Sequence, residues 1–384
     1  MAAPAIPFTI FLLQHSSSME SCNLALLPDV RALPVSPSPG VLDTLKKAAA
    51  PQLSSLSISF DCTRECILPN SVFRGDLSSL SRLSLTRAWF DIGELNINVS
   101  LQILHVDLSF ARNTAGSHPT DLSRWLVILD TLPNLVTLEL QVAQASYGPI
   151  KQVVDNASLR HLTLQHLTSV TMIITAQDLN VFLNFVHLPS CSVVRITLHV
   201  APWDDIHTDT ERLVRRYANP LPPGQAGSEL TLEADSETEH FACGFVRNPP
   251  PPHPNHSAAQ PPDIWFQDLS VHLIRHSVAR PEVGLTETYR SFLSAWHSVT
   301  EGLATLSVLP PFGTWGPMPQ DFYDPIREIV KMGCSNKGSL KRIKCAERYI
   351  GTLFGEGGQI SEGGMLWASE YPLEVLPIRE DRGL

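Results

Sequence analysis

Apolar residues recur along this chain with the spacing L-x-x-L-x-L. PQLSSLSISF carries Leu53, Leu56 and Ile58, LSSLSRLSL carries Leu80, Leu83 and Leu85, and SLQILHVDL carries Leu101, Leu104 and Val106. PNLVTLELQV carries Leu135, Leu138 and Leu140, SLRHLTLQHL carries Leu159, Leu162 and Leu164, and SVVRITLHV carries Val193, Ile196 and Leu198. Further on come Phe266, Leu269 and Val271, then Leu303, Leu306 and Val308, then Leu340, Ile343 and Cys345, then Leu373, Leu376 and Ile378. Met19, Cys22 and Leu24 fit near the chain start, and Leu230 and Leu232 give a half match. Side chains of an extended segment alternate between two faces, so the fourth and sixth positions point to one side. A single strand of this kind leaves its apolar face bare, whereas a stack of them shares one core.

Between these strands the period changes to three or four. TDLSRWLVILDTL (120–132) places Leu122, Trp125, Leu126, Leu129 and Leu132 on one helical face. Residues 175–188, 208–218, 286–299 and 320–332 read as helices in the same way, with a capping box predicted at Thr208 and Glu211. Each unit is therefore a strand, a loop, a helix and a loop. The pattern predicts an α/β repeat solenoid, a curved parallel sheet with outer helices, of about eleven or twelve repeats.

The rhythm breaks in 219–262, where NPLPPGQAGS, SETEHFACGF and NPPPPHPNHSAAQPP follow one another. Proline locks φ and donates no ladder hydrogen bond, so all three stretches are expected as loop or polyproline II. The expected organisation is an N-terminal part of the array over 1–218, beginning mid-array, a Pro-rich insertion or linker over 219–262, and a C-terminal part over 263–384. GEGGQISEGG (355–364) reads as a loop; its two acidic residues argue against a phosphate cradle.

Where the inward positions hold the core, the positions between and after them face away from it. They read Ser57 and Ser59, Ser84 and Thr86, His105 and Asp107, Glu139 and Gln141, Thr163 and Gln165. Thr197 and His199, Thr231 and Glu233, Ser270 and His272 continue the series. Stacked, they would form a polar, mildly acidic concave strip. His105, Asp107, Glu139, Gln141, Gln165, His199, Glu233 and His272 are the candidate contacts to a protein partner with a basic or polar face.

Composition supports a globular chain and narrows its partners. It is 43% hydrophobic, enough for a large core, and only 17% charged, against about a quarter in ordinary domains. The net charge of -10 lacks the basic face that nucleic-acid binding requires, and KGSLKRIK (337–344) reads as a solvated basic run. AIPFTIFLL (5–13) is too short to span a bilayer and has no basic residue before it. The seven cysteines are scattered, as for reduced thiols rather than a disulfide framework. An intracellular protein, cytoplasmic or nuclear, without nucleic-acid or membrane partners is expected.

Chemical motifs are sparse. The chain contains no G-x-S-x-G, no H-E-x-x-H and no P-loop, so neither catalytic residues nor a cofactor is expected. His272 and His276 are four apart, but a strand there keeps them from converging. PWDDIHTDTE (202–211) gathers Asp204, Asp205, His207, Asp209 and Glu211. Hard carboxylate oxygens suit divalent ions, which makes a metal-dependent hydrolase the alternative; helix capping accounts for the same residues.

Stretches such as AAPQLSSLSISF, SSLSRLSLTRAWFDIGELNI and SLQILHVDLSF resemble leucine-rich repeats, in the irregular style of fungal, mushroom-type F-box protein arrays. The resemblance covers most of residues 8–384. It implies a leucine-rich-repeat solenoid that captures a protein target for ubiquitination, while a separate F-box module docks on a Skp-type adaptor. Two departures stand out. The asparagine that builds a hydrogen-bonded ladder in regular short repeats is replaced here by Ser109 or Leu167. LLPDV (26–30) is similar to the opening Leu-Pro of an F-box, but LPVSPSPG follows where its helices should continue. The chain is accordingly expected to start inside the array, as a member without the module or as a fragment.

Overall fold

The structure is a computed structural model. It describes residues 16–26, 39–60, 66–68, 71–75, 77–89, 92, 100–108, 122–141, 160–200, 206–218, 228–235, 240–247, 268–275, 285–308, 320–334, 340–345, 353, 359–360, 365–368 and 371–377. The strands, in chain order, are β1 (Ser21–Leu26), β2 (Ser55–Phe60), β3 (Cys66–Ile67), β4 (Arg82–Thr86), β5 (Ala88–Trp89), β6 (Ile103–Asp107), β7 (Thr137–Gln141), β8 (Leu162–Thr163), β9 (Ser169–Thr175), β10 (Val186–His187), β11 (Val193–Val200), β12 (Ser228–Asp235), β13 (His240–Arg247), β14 (Asp268–Arg275), β15 (Leu303–Val308), β16 (Arg342–Cys345), β17 (Gln359–Ile360), β18 (Met365–Ala368) and β19 (Tyr371–Pro377). The helices are α1 (Pro39–Lys47), α2 (Leu122–Asp130), α3 (Ala176–Phe185), α4 (Ile206–Tyr217), α5 (Leu285–Ser294) and α6 (Gln320–Gly333). The fold is mixed α/β, with a large parallel sheet and helices. Two compact units divide the chain, Met1–Cys191 and Ser192–Leu384.

In the first unit β1, β2, β4, β6, β7 and β9 are hydrogen-bonded in that order, all parallel. Their register brings the apolar positions into rows. Cys22, Leu56, Leu83, Leu104, Leu138 and Val170 form one row, and Leu24, Ile58, Leu85, Val106, Leu140 and Met172 the next. Every one of these side chains is buried. Alternation alone dictates this: an apolar residue at every second place gives each strand one dry face. The strands are further tied at their starts. The carbonyl of Glu20 accepts the amides of Ser54 and Ser55, Ser54 accepts Ser81 and Arg82, and Ser81 accepts Gln102 and Ile103. Gln102 accepts Val136 and Thr137, and Val136 accepts Thr168 and Ser169.

Helices α2 and α3 complete this core. Leu122, Trp125, Leu126 and Leu129 of α2 and Leu179, Val181, Phe182 and Leu183 of α3 are buried. Trp125 meets Trp89 edge-on at 5.2 Å. Helix α3 begins with a capping box, Thr175 with Asp178. Helix α4 starts at Ile206, two residues before the Thr208 expected at its cap, so Thr208 lies in its first turn.

Three repeat assignments shift. Leu162 lies on β8, which pairs with β10 in a separate two-stranded sheet, and the main-sheet strand is β9, with Val170 and Met172 inward. Leu159 lies outside the described residues. The turn Leu164–Leu167, closed by the Leu167 amide on the Leu164 carbonyl, matches Ala50–Leu53, Leu77–Leu80, Leu132–Leu135 and Leu188–Cys191. The buried pattern thus runs back one more place, to L-x-x-L-x-x-L-x-L, and its members here are Leu164, Leu167, Val170 and Met172, all buried. The same register makes Cys191 rather than Val193 lead the next strand. At the last strand the shift is one residue: Leu373 and Val375 are buried, and Leu376 pairs in register with Lys344 on the other face. A one-residue slip exchanges the two faces of a strand.

In the second unit the order is β11, β14, β13, β12, β15, β16, β19, β18, β17. Strands β11 and β14 are parallel, β14, β13 and β12 are antiparallel, β12, β15, β16 and β19 are parallel, and β19, β18 and β17 are antiparallel. The parallel arrangement expected throughout is therefore interrupted. HFACGF, read above as loop, belongs to β13, with Cys243 and Phe245 buried. Only a short link separates β12 from β13, and neighbours joined so closely pair antiparallel. Val246 pairs opposite Asp268, so NPPPPHPNHSAAQPP joins the adjacent ends of β13 and β14, outside the described residues.

Candidate functional site

The outward positions of the first unit's sheet are also in register. Asn23, Ser57, Ser84, His105, Glu139 and Thr171 form one row, and Ala25, Ser59, Thr86, Asp107, Gln141 and Ile173 the next. Hydroxyls dominate over β2 and β4, and ionisable groups over β6 and β7. The Glu139 carboxylate accepts a hydrogen bond from His105 Nδ1 at 2.6 Å, with side-chain exposures of 50% and 38%. The two strands are neighbours and their side chains stand side by side, which fixes this cross-strand pair. Asp107 and Gln141 lie directly opposite one another in the following row. Four of the expected contact residues, His105, Asp107, Glu139 and Gln141, are thus brought together.

The other four are placed differently. Gln165 is exposed on the turn after β8, off the main sheet, because Thr171 and Ile173 occupy the strand positions assigned to Thr163 and Gln165. His199 is 9% exposed. It sits where β11 loses its alternation, with Leu198 and Val200 buried on either side. Glu233 and His272 fall in one row of the second unit, both opposite Ala242 and with Thr197 beyond His272.

The second unit carries a charged group that the sequence reading missed. Glu229 Oε1 accepts from Ser307 Oγ at 2.6 Å and from Lys344 Nζ at 2.9 Å, and Arg342 Nε donates to Glu374 at 2.6 Å. All five residues occupy outward register positions of β12, β15, β16 and β19. Burial raises the Glu229 pKa, but the Ser307 hydroxyl and the Lys344 ammonium offset it and leave the carboxyl below its usual value. The signal was present in the period-two placement of Arg342 and Lys344 around Ile343, in the run taken as a merely solvated basic stretch.

The acidic stretch 202–211 is partly spoken for. Asp209 pairs with Arg212 at 3.3 Å and Glu211 with Arg215 at 2.7 Å along α4; Asp204 and Asp205 lie outside the described residues. Among the described residues no group of three or more His, Cys, Asp or Glu side chains is placed to hold a metal ion. Cys22, Cys191, Cys243, Cys334 and Cys345 form no disulfide, and burial pushes the thiols of Cys22, Cys334 and Cys345 up to about 11, so these stay protonated near neutrality. No described helix is long and apolar enough to cross a membrane. No protein-family model matches the chain, and comparison with curated proteins finds no match.

Proposed function

We propose that the chain is an irregular leucine-rich-repeat solenoid acting as a protein-recognition scaffold, in the manner of the target-binding array of an F-box ubiquitin ligase receptor. The observation that carries this reading is the in-register face of the first unit, where β2, β4, β6 and β7 turn their buried apolar rows inward and mostly polar residues outward. Such a face offers donors and acceptors at a fixed repeat. Its charge chooses the occupant. Glu139 and Asp107 bias the centre toward a protein segment that presents a lysine or arginine, with hydroxyls of β2 and β4 for its neighbouring polar groups. In the F-box reading a Skp-type adaptor would be recruited by a module other than this face.

Selection of a random peptide library on the purified full chain tests this. Peptides enriched in lysine and arginine are expected, with at least tenfold weaker binding to the His105→Ala/Glu139→Lys variant. The two side chains are half exposed, so the melting temperature should stay unchanged. Absence of enrichment, or selected peptides that bind parent and variant alike, refutes the reading.

A further inference from the structure

Strand β1 stands at the end of the first unit's sheet. Among the described residues it pairs with β2 alone, in a parallel ladder from Ser21 to Leu26. Successive residues of a parallel strand turn their N–H and C=O to opposite sides. The Glu20 carbonyl accepts the Ser55 amide, so Cys22, Leu24 and Leu26 bond toward β2, and the main-chain groups of Ser21, Asn23 and Ala25 point to the outer edge. These three residues are exposed. The core beneath this edge is covered less completely than its neighbours. Cys22, Leu24 and Leu26 keep 7%, 5% and 5% exposure, where Leu56, Ile58, Leu83 and Leu85 keep 0%. Sheet edges are commonly guarded by charge, proline or brevity. Strand β17, which ends the second unit's sheet, is two residues long. Strand β1 has six residues, SCNLAL, with neither charge nor proline.

We propose that β1 is a docking edge for a second copy of this chain, the two β1 strands pairing antiparallel about a twofold axis at Asn23. Residues opposite one another in an antiparallel pair share a face, so the register must match inward with inward. Centring on Asn23 does so: Cys22 meets the partner's Leu24, and Ser21 meets the partner's Ala25. Every edge amide and carbonyl of Ser21, Asn23 and Ala25 then has a counterpart, and the apolar rows continue across the axis. Centring on Leu24 also matches the faces but leaves Ser21 beyond the partner's strand. Charge selects the occupant. The net charge is -10, so two copies repel over much of their surface and approach most easily where both are neutral. An uncharged edge attracts neither an acidic nor a basic segment. The asparagine at the axis complements itself, since its amide both donates and accepts.

Analytical ultracentrifugation of the full chain at micromolar concentrations tests this. A monomer–dimer equilibrium is expected. Asn23→Lys and Asn23→Glu each set like charges face to face at the axis and should weaken the dimer at least about tenfold. An equimolar mixture of the two variants should recover it. Asn23 is exposed, so both variants should melt with the parent. Hydrogen exchange of the parent gives a second readout that needs no variant: protection of the peptide spanning 21–26 should rise with chain concentration. A monomeric parent overturns the proposal, as does a dimer that both variants leave intact, or a mixture that stays monomeric. Protection of 21–26 that is independent of concentration overturns it equally, and would assign the edge to another part of the same chain.

Discussion

Asp178 is the residue whose removal the structure prices most clearly. Its side chain is 7% exposed, and one carboxylate serves the starts of two helices. Oδ1 accepts the amide of Leu122, the first residue of α2, at 2.9 Å, and Oδ2 accepts the Thr175 hydroxyl at 2.8 Å. A third, longer contact comes from the Thr175 amide at 3.4 Å. Helix starts leave amides without intrahelical partners, and an anion there is favoured by the helix dipole. A hydrogen bond to a charged acceptor contributes about 1.5–3 kcal/mol net. Counting the two short bonds and discounting the long one, Asp178→Ala should destabilise the first unit by about 3–6 kcal/mol. Asp178→Asn keeps one carbonyl oxygen but turns an amide donor toward a donor, so about half of that loss is expected. At about 2–4 °C per kcal/mol for a unit of this size, the alanine variant should melt about 6–24 °C below the parent. Urea unfolding followed by hydrogen exchange of the peptides spanning 122–130 and 176–185 reads the effect locally. If both variants stay within about 0.5 kcal/mol of the parent, the shared carboxylate is not what joins α2 to α3.

Two further outcomes are expected. His297 is held below its usual pKa, first by burial and then by His207, with Glu328 acting in the opposite sense. Below about pH 6.5 the unfolded chain binds a proton that the folded state refuses, so the second unit should lose stability as pH falls from there toward the folded value. Glu229, also depressed, keeps its contribution until pH drops below the ordinary carboxylate range and loses it as pH falls through its folded value. Urea midpoints between pH 7.5 and 5 should therefore slope less in His297→Gln, and an equal slope would show that another group titrates. In the first unit Leu167 is 0% exposed and Val127 is 66% exposed. Leu167→Ala should cost about 2–5 kcal/mol and Val127→Ala almost nothing; similar unfolding midpoints for the two variants would refute the assignment of Leu167 to the repeated turn.

The strands of the first unit were legible because period two is a local property. Leu83, Leu85 and Ser84 declare their faces within a few residues. What failed was the choice between overlapping matches. Leu159, Leu162 and Leu164 satisfy the same template as Leu167, Val170 and Met172, and only the hydrogen bonds of β9 with β7 decide between them. The row of His105 and Glu139 followed from equal strand register, although their direct contact also depends on rotamers that spacing does not specify. Glu229 and Lys344 were out of reach for a different reason. They are 115 residues apart, and they meet because β12 sits beside β15 after two antiparallel neighbours, an order that proline and glycine punctuation did not reveal. His199 shows the limit of alternation itself, since a strand end covered on both faces no longer separates inward from outward.

The asparagine that regular repeats use to tie their turns is missing, and the strand starts explain how its work is done without it. At each start in the first unit one carbonyl takes two amides from the following strand, and a hydroxyl often joins them: Ser54 on Glu20 at 2.9 Å, Ser81 on Ser54 at 3.0 Å, Thr168 on Val136 at 3.2 Å. Related bonds recur in the second unit, where Lys341 donates to Ala304 and Glu374 to Lys341. The backbone supplies most of this ladder, and the side chains that assist it need only a small hydroxyl. Register is then set by main-chain bonds together with the buried rows, both of which are indifferent to what stands on the outward positions. Those positions carry serine, histidine, glutamate, arginine and isoleucine in successive strands without disturbing the pairing. A surface whose chemistry can change while its scaffold does not is what a recognition face needs, and it is why the candidate contacts are argued from His105, Asp107, Glu139 and Gln141 rather than from the leucines that place them.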